Sequence, residues 1–397
     1  MNFSMQARLS AMMFLEYLIW GAWYVTLSTW LSRGLHLSGQ QIGWAAGTTA
    51  LGAIFAPFFV GLVADKLFAT QKILAALHLG GSILLYAASR QVDFAPLYGL
   101  LILYCFCFMP TLALTNSLAF RQMTDPKKEF GPIRVLGTAG WIVAGVTIGS
   151  LKLEATAIPM QIAGAASALM ALYCLTLPST PPLGAGGKLS FSSIFPKEAW
   201  LIFTEKSTAV FALASLLICI PLQFYYAFTN LFLNEKGVVN AAGKMAFGQG
   251  SELFFMILIP FFFRRLGVKY MLGVGMAAWV VRYLCFAYGA PTGAMPLFWT
   301  GILLHGVCYD FFFVTGQIYI DRKAAPALRA AAQGTITLIT YGLGMFIGSW
   351  VSGRVVDAYA TSGGHNWNAI WIFAASLSGA VLLLFLAVFS DKEAETA

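Results

Sequence analysis

Long apolar runs alternate with short polar segments along almost the whole chain. A membrane-spanning helix needs about 20 consecutive apolar residues. Twelve runs of roughly that length lie near residues 9–31, 41–63, 73–89, 96–120, 133–151, 158–177, 208–233, 245–263, 270–289, 297–320, 331–356 and 369–390. The pattern therefore predicts an all-α membrane protein with twelve transmembrane helices.

One connection is longer than the others and divides the runs six and six. It is rich in Pro, Gly, Ser and Lys, which is typical of a linker. We therefore predict an N-terminal six-helix bundle over 1–178, a cytoplasmic linker over 179–206 and a C-terminal six-helix bundle over 207–397. Two such halves are typical of transporters that work by alternating access.

Composition narrows the class of protein further. Apolar residues make up 59% of the chain and charged residues only 10%, whereas soluble domains contain about 25% charged residues. This composition excludes a soluble enzyme, a disordered chain and a nucleic-acid-binding protein. The partners we expect are a lipid bilayer and a small-molecule substrate, with no nucleic acid.

The basic residues predict the orientation in the membrane. With the N-terminus inside, most of the 24 Lys and Arg residues fall in the inner loops and few in the outer loops. Cytoplasmic loops carry such an excess. We therefore predict a multi-pass protein of the cytoplasmic (inner) membrane with both termini in the cytoplasm.

Motifs for catalysis or metal binding are absent from the sequence. It contains no Walker-type phosphate loop, no G-x-S-x-G turn and no H-E-x-x-H pair. We therefore expect a protein that is not an enzyme, with no catalytic residue, metal or cofactor.

Polar residues inside the predicted spans recur at helical spacing. Ionisable groups in a membrane are costly, so each one is a candidate functional residue. Because lipid cannot satisfy amides and carboxylates, these stripes should face a shared cavity. The stripes are Glu16, Trp20 and Trp23; Arg134, Thr138 and Trp141; Gln223, Tyr226 and Asn230; Gln249 and Glu252; and His305 and Tyr309, with Asp310 adjacent.

Several of these residues have a structural alternative. Asp310 could form a buried ion pair with Arg282 instead of carrying a proton, and we expect Arg282 itself to be structural. His78 is interpreted as a core histidine. Pro221, just before the span 7 stripe, favours a local break in that helix.

The mixture of side chains indicates a ligand class. Aromatic rings stack on a flat ring, and amides read its polar edges and hydroxyl groups. The mixture therefore suits a flat polar ligand with hydroxyl groups. A sugar, an aromatic metabolite, a uniporter, a polytopic membrane enzyme and a receptor-like binding protein remain alternatives at this point.

Several short segments along the chain carry a resemblance to a known family. They are Trp20–Trp23, Gly61–Lys66, Met109–Leu112, Pro132–Thr138, Gln249–Glu252, Ile259–Phe262, Asp310–Phe312 and Arg329–Gly334. The segment Gly61–Lys66 is similar to the G-x-L-x-D-[RK] turn of the major facilitator superfamily. With these segments, the chain resembles, nearly end to end, the nucleoside:proton symporter family of that superfamily.

The resemblance implies import of a nucleoside by proton symport, with the nucleoside in a central cavity and no other coupling ion than protons. It implies proton coupling by Asp310; the buried carboxylates Glu252 and Glu16 are further candidates, and we expect a monomer. The substrate-binding residues that it implies are Arg134, Thr138, Trp141, Gln223, Tyr226, Gln249, Glu252, His305 and Tyr309.

Five positions depart from the family member compared. It has Phe, Asn, Tyr and Phe where this chain has Trp141, Tyr226, His305 and Tyr309, and a neutral amide where Glu16 stands. These differences leave the preference for base and sugar open, and they make Glu16 an additional candidate proton site.

Overall fold

The computed structural model describes residues 3–60, 68–182 and 197–390, and nearly all of these residues are helical. The helices are α1 (Phe3–Tyr24), α2 (Leu27–Thr29), α3 (Gly39–Phe59), α4 (Thr70–Ser89), α5 (Phe94–Gln122), α6 (Pro126–Ser150), α7 (Ile158–Cys174), α8 (Lys197–Leu201), α9 (Lys206–Glu235), α10 (Ala241–Gly289), α11 (Met295–Lys323), α12 (Arg329–Ala358) and α13 (Trp367–Val388). A short antiparallel hairpin of β1 (Ala360–Thr361) and β2 (Gly364–His365) precedes α13.

Eight helices in the described part of the chain are long and apolar enough to cross a membrane. They are α4, α5, α6, α9, α10, α11, α12 and α13. The helix α7 is apolar but has only 17 residues. These helices establish a predominantly helical, multi-pass membrane architecture.

Local breaks divide the longest helices. Gly267 has φ 63° and ψ −177°, so α10 consists of two helices joined at a kink; only glycine adopts such a conformation readily. The helix α11 contains a π-helical turn over Asp310–Val314, and α12 contains one over Leu338–Gly344. The break expected at Pro221 is wrong, because α9 continues through this residue.

The chain forms two compact units. The first comprises Met1–Ser190 with Val239–Ala246, and the second comprises Phe191–Val238 with Phe247–Ala397. Half of the predicted linker 179–206 lies outside the described residues, and the predicted domain boundaries stay a prediction. The motif Gly61–Lys66 also lies outside the described residues.

The first unit packs its helices around α1, which contacts α5, α6 and α7. The helix α4 packs against α5 and α7. Ser38 begins α3 with a capping box, in which its hydroxyl accepts from the Gln41 backbone N–H and the Gln41 side chain accepts from the Ser38 N–H. The contacts between helices place residues of α1, α4, α5 and α7 around a common core.

The second unit is built around α9, which packs against α12 and α13. Phe232 of α9 is fully buried among aromatic rings, with its centroid 5.4 Å from Trp367 and 5.3 Å from Trp371. At the start of α9, the Glu205 carboxylate accepts from Lys323 at 2.8 Å and so connects α9 to the end of α11.

Candidate functional site

An acid and an imidazole meet inside the second unit. The carboxylate oxygen Oε1 of Glu252, on α10, lies 2.7 Å from Nε2 of His305, on α11. The His305 side chain is 1% exposed and that of Glu252 is 17% exposed. The two helices approach closely at this point, where the Gly306 backbone N–H donates to the Ser251 hydroxyl at 2.9 Å. This close contact between α10 and α11 positions the Glu252 and His305 side chains next to each other.

The same imidazole nitrogen also meets an amide. Nε2 of His305 lies 3.0 Å from the Gln249 side-chain nitrogen. If that amide N–H donates, Nε2 is an acceptor and the proton of the pair is on the Glu252 carboxyl. If the proton is on Nε2, the Gln249 amide turns to present its oxygen. The Gln249, Glu252 and His305 side chains can therefore share one proton in two arrangements.

Aromatic rings enclose this imidazole on several sides. The Tyr225 ring stacks on His305 with centroids 5.2 Å apart, and Tyr226 meets it edge-on at 6.0 Å. Tyr309 lies 6.1 Å away, and its hydroxyl accepts from the Tyr341 hydroxyl at 2.8 Å. Flat aromatic walls beside an amide and a carboxyl group suit a planar polar ligand.

Arg282 contacts the Tyr225 ring that stacks on His305. Its guanidinium carbon lies 4.1 Å from the Tyr225 ring centroid, and its Nε donates to the Gly301 carbonyl at 3.0 Å. The side chain is fully buried. This arrangement agrees with a structural role for Arg282.

Asp310 does not form the alternative ion pair with Arg282. It is the first residue of the π-helical turn and is fully buried. Among the described residues, neither carboxylate oxygen has a hydrogen-bond partner, and no ion pair joins Asp310 to Arg282. Burying an ionised carboxylate alone costs several kcal/mol, so this carboxyl group is suited to hold a proton.

The other predicted residue of the second unit is Gln223 on α9. It is 1% exposed and lies where α9 approaches α12 closely: a Cβ added to Gly348 would be 2.9 Å from the Gln223 Cβ. Asn230, from the same predicted stripe, accepts at its backbone carbonyl from Asn234 at 3.0 Å. Tyr226 of this stripe contacts the imidazole of His305.

The first unit holds the remaining predicted substrate residues on α6. The Arg134 guanidinium lies 4.0 Å over the Tyr17 ring of α1. The Trp141 ring meets Trp20 edge-on at 5.5 Å, beside Gly21. Arg134, Thr138 and Trp141 are all partly exposed, so they form a half-open polar and aromatic surface within their own unit.

Glu16 does not share the surroundings of these α6 residues. It is fully buried and pairs with His78 at 3.0 Å, while the Thr111 hydroxyl donates to its other oxygen at 2.6 Å. His78 is a buried histidine with a partner at each ring nitrogen, as expected of a core histidine, and one of these partners is the buried acid Glu16.

Sequence reasoning missed several contacting residues. Tyr225 is one residue before the predicted Tyr226, and both rings contact His305. Tyr341 and Tyr17 are also in contact with predicted residues but were not singled out. A search for every aromatic residue within one helical turn of the stripes would have found Tyr225.

Comparison with known proteins decides the class. A family model described as nucleoside H+ symporter matches residues 1–394. The chain belongs to the nucleoside H+ symporter family. This is a family of transporters, so this member is a multi-pass membrane transporter and not an enzyme.

Relatives of this symporter are similar over almost their whole length. The chain is 40% identical to the putative nucleoside transporter YegT of Escherichia coli, over 98% of this chain and 95% of that protein. It is 32% identical to the xanthosine permease of the same organism, over 97% of this chain and 94% of that one.

A solved structure of the nucleoside transporter NupG superposes with a TM-score of 0.90 at 30% identity, covering 99% of this chain and 100% of that one. The nucleoside permease NupG of Escherichia coli is 31% identical over 99% of this chain and 97% of that one. The fold is therefore that of a major facilitator transporter, as the sequence predicted.

Proposed function

We propose that this protein imports nucleosides together with protons by alternating access. Membership of the nucleoside H+ symporter family supports the proposal along the whole chain. Relatives named as a nucleoside permease and a xanthosine permease support the substrate class. The observation within the chain that supports it best is the Gln249, Glu252 and His305 cluster inside aromatic walls.

The proposed substrate residues divide between the two units. In the second unit, Gln249, Glu252 and His305 supply hydrogen-bonding groups, and the tyrosine rings supply stacking surfaces. The complete proposed set is Arg134, Thr138, Trp141, Gln223, Tyr226, Gln249, Glu252, His305 and Tyr309.

The proposed coupling ion is the proton, carried by buried acids. Glu252 lies 2.7 Å from His305, Asp310 is buried without a hydrogen-bond partner among the described residues, and Glu16 is paired with His78 in the first unit. Coupling requires that proton and substrate favour the same conformation. Glu252 is suited to this because one carboxyl group can bind both.

For the architecture we propose twelve spans. Eight helices are long and apolar enough to cross a membrane, and the kink at Gly267 divides one of them, α10, into two spans. The helices α1, α3 and α7 supply the other three. We propose six-helix bundles over 1–178 and 207–397, joined by a cytoplasmic linker over 179–206. The proposed location is the cytoplasmic (inner) membrane, as a monomer in the lipid bilayer with both termini inside.

Counterflow in proteoliposomes tests the substrate class without a proton gradient. Vesicles loaded with unlabelled uridine take up labelled uridine, and unlabelled purine nucleosides, pyrimidine nucleosides, free bases, ribose and nucleotides are added outside as competitors. We expect nucleosides to compete and ribose, free bases and nucleotides to compete weakly. Competition by ribose alone would assign a sugar transporter instead.

Glu252→Gln tests the central cluster, with Glu198→Gln as the matched control. Glu198 is an exposed residue of α8, so its replacement should leave counterflow unchanged. Removing a hydrogen bond to a charged group costs about 1.5–3 kcal/mol, which predicts counterflow affinity lowered by about tenfold or more for Glu252→Gln. Equal affinities for the two variants would remove Glu252 from the substrate site.

A further inference from the structure

A second acid–imidazole pair lies in the core of the first unit. Oε2 of Glu16, on α1, is 3.0 Å from Nε2 of His78, on α4, and the two side chains are 0% and 1% exposed. The residues are 62 positions apart in sequence. Neither belongs to the α6 surface formed by Arg134, Thr138 and Trp141.

Ser167 on α7 contacts the other nitrogen of this imidazole. Its hydroxyl oxygen lies 2.9 Å from the His78 backbone carbonyl and 3.2 Å from Nδ1. When the hydroxyl donates to the carbonyl, its oxygen accepts from a protonated Nδ1; when the hydroxyl turns to Nδ1, that nitrogen accepts and carries no hydrogen. Both tautomers of His78 therefore keep a hydrogen-bond partner at Nδ1.

The contact between His78 and Glu16 can hold one proton or two. With Nδ1 protonated, Nε2 either donates to an ionised Glu16 as part of an imidazolium or accepts from a protonated carboxyl group, and both arrangements leave the pair with zero net charge. With Nδ1 accepting from Ser167, Nε2 donates to an ionised Glu16, and the pair carries one negative charge. The contact between the two side chains is therefore a hydrogen bond before and after a proton is released.

Thr111 on α5 has a hydrogen-bond acceptor in either charge state of the pair. Its hydroxyl oxygen lies 2.6 Å from Oε1 of Glu16 and 2.6 Å from the Phe108 carbonyl. The single hydroxyl hydrogen can turn to either acceptor, so Thr111 keeps a partner when Glu16 no longer needs its donor. The network can therefore bind or release a proton without leaving this hydroxyl unsatisfied.

Other titratable groups around the pair come from α5, α6 and α7. Tyr104 on α5 and Cys174 on α7 are close enough to Glu16 to interact electrostatically. Both are neutral at physiological pH in their usual state. Arg134 on α6 lies over the ring of Tyr17, the neighbour of Glu16. The described ion pairs of the carboxylate therefore involve His78 alone.

We propose that Glu16 and His78 form a second proton-binding site, which binds and releases a proton during each transport cycle. The site rests on the proposed function, and it adds His78, Ser167 and Thr111 to the groups that move or hold protons. The helices α1, α4, α5 and α7 each contribute one member, so a change of charge at the pair alters the contacts among all four.

Gradient-driven accumulation in proteoliposomes measures the coupled protons. Each proton carried with the substrate supports about tenfold accumulation per pH unit, since one unit corresponds to about 1.4 kcal/mol. Loss of one proton site should therefore lower the accumulation ratio by about tenfold per pH unit. The variants are Glu16→Gln and His78→Gln, and the control is Thr115→Val, a buried residue one turn beyond Thr111 that bonds only within its own helix.

We expect Glu16→Gln and His78→Gln to lose about tenfold in accumulation per pH unit, with each accumulation ratio compared with the same variant's counterflow. Accumulation equal to that of Thr115→Val would overturn the second site while leaving proton symport intact. If the wild-type protein shows counterflow but no accumulation, the proposal of proton symport is wrong. In that case the NMR measurement below still tests whether the pair binds a proton.

Nitrogen-15 NMR of the unchanged, histidine-labelled protein provides this second measurement, which does not require a folded variant of the pair. The chain has four histidines, and Asn substitutions of His36, His305 and His365 identify their signals and leave that of His78. We expect the ring-nitrogen signals of His78 to change with pH over the range in which the protein transports, as the pair loses its proton. Ring-nitrogen signals that are constant over this range would overturn the proposal.

Discussion

Replacing Gly306 with alanine should disrupt the Glu252–His305 pair without touching either side chain. A Cβ at Gly306 would lie 2.5 Å from the Ser251 carbonyl oxygen and 2.8 Å from the Glu252 backbone nitrogen, whereas ordinary contact begins at 3.4 Å. Both neighbours are backbone atoms, so no side-chain rotation relieves the clash. The helices α10 and α11 must move apart by about 1 Å.

The magnitude follows from the hydrogen-bond distance. His305 and Glu252 are 2.7 Å apart, and an added separation of about 1 Å carries them beyond hydrogen-bonding distance. Overpacking costs about 1–3 kcal/mol of stability, and a misplacement of about 1 Å in a functional site costs about a hundredfold in activity. We therefore expect a lower Tm and a loss of counterflow by one to two orders of magnitude.

Gly250→Ala is the matched control. Gly250 lies on α10 two residues before Glu252, and no heavy atom lies within 4 Å of a Cβ added there. Alanine is favoured over glycine in a helix by about 1 kcal/mol, so this variant should be at least as stable as the unchanged protein. The assays are nucleoside counterflow and thermal unfolding in detergent. If Gly306→Ala matches Gly250→Ala in both, the close helix contact does not position the pair.

Three further predictions concern other parts of the chain. Asp310→Asn should keep counterflow but lower gradient-driven accumulation by about tenfold per pH unit; unchanged accumulation would exclude Asp310 as a proton carrier. Tyr309→Phe removes the acceptor of the Tyr341 hydroxyl and should weaken counterflow affinity by about fivefold, or about 1 kcal/mol; unchanged affinity would separate this hydrogen bond from substrate binding. The Lys323 ammonium lowers the pKa of the Glu205 carboxyl by its hydrogen bond. A lowered pKa stabilises the fold above the ordinary carboxyl pKa, and this stabilisation is lost on acidification. Glu205→Gln should therefore lower the free energy of unfolding at pH 7 by less than about 1 kcal/mol, measured as a slightly lower Tm, and the difference should shrink on acidification and vanish below the lowered pKa of Glu205. A difference independent of pH would contradict the ion pair.

The sequence was sufficient to predict the contacts that depend on helical spacing. Gln249 and Glu252 are three residues apart and share a face of α10, and both meet His305. His305 and Tyr309, four apart, also remain neighbours. Polar groups at one face of a span have no partner in lipid, so they turn toward one another.

Contacts between distant helices could not be predicted in the same way. The Glu16–His78 pair joins residues on α1 and α4, and nothing in the spacing of either helix indicates the other. The expected alternative for Asp310, an ion pair with Arg282, also concerned two helices and is not present. Arg282 instead contacts the Gly301 carbonyl and the Tyr225 ring. Neither partner carries a charge, so a search for ion pairs does not find them.

Local backbone irregularity was the other source of error. Pro221 was expected to break α9, but α9 continues through this residue, and prolines are tolerated in membrane helices. Tyr283 donates to the Pro221 carbonyl at 2.6 Å and so connects α9 to α10 at this point. The π-helical turn that begins at Asp310 leaves no clear signal in the sequence, although it determines where that carboxyl group lies.

Uptake of labelled uridine and adenosine into proteoliposomes, under an imposed inward proton gradient and with or without a protonophore, tests the central claim most directly. Proton symport predicts accumulation above the external concentration, by about tenfold per pH unit for each coupled proton, and its collapse when the protonophore is added. Equilibration to the external concentration, unchanged by the protonophore, would contradict proton coupling in this nucleoside transporter.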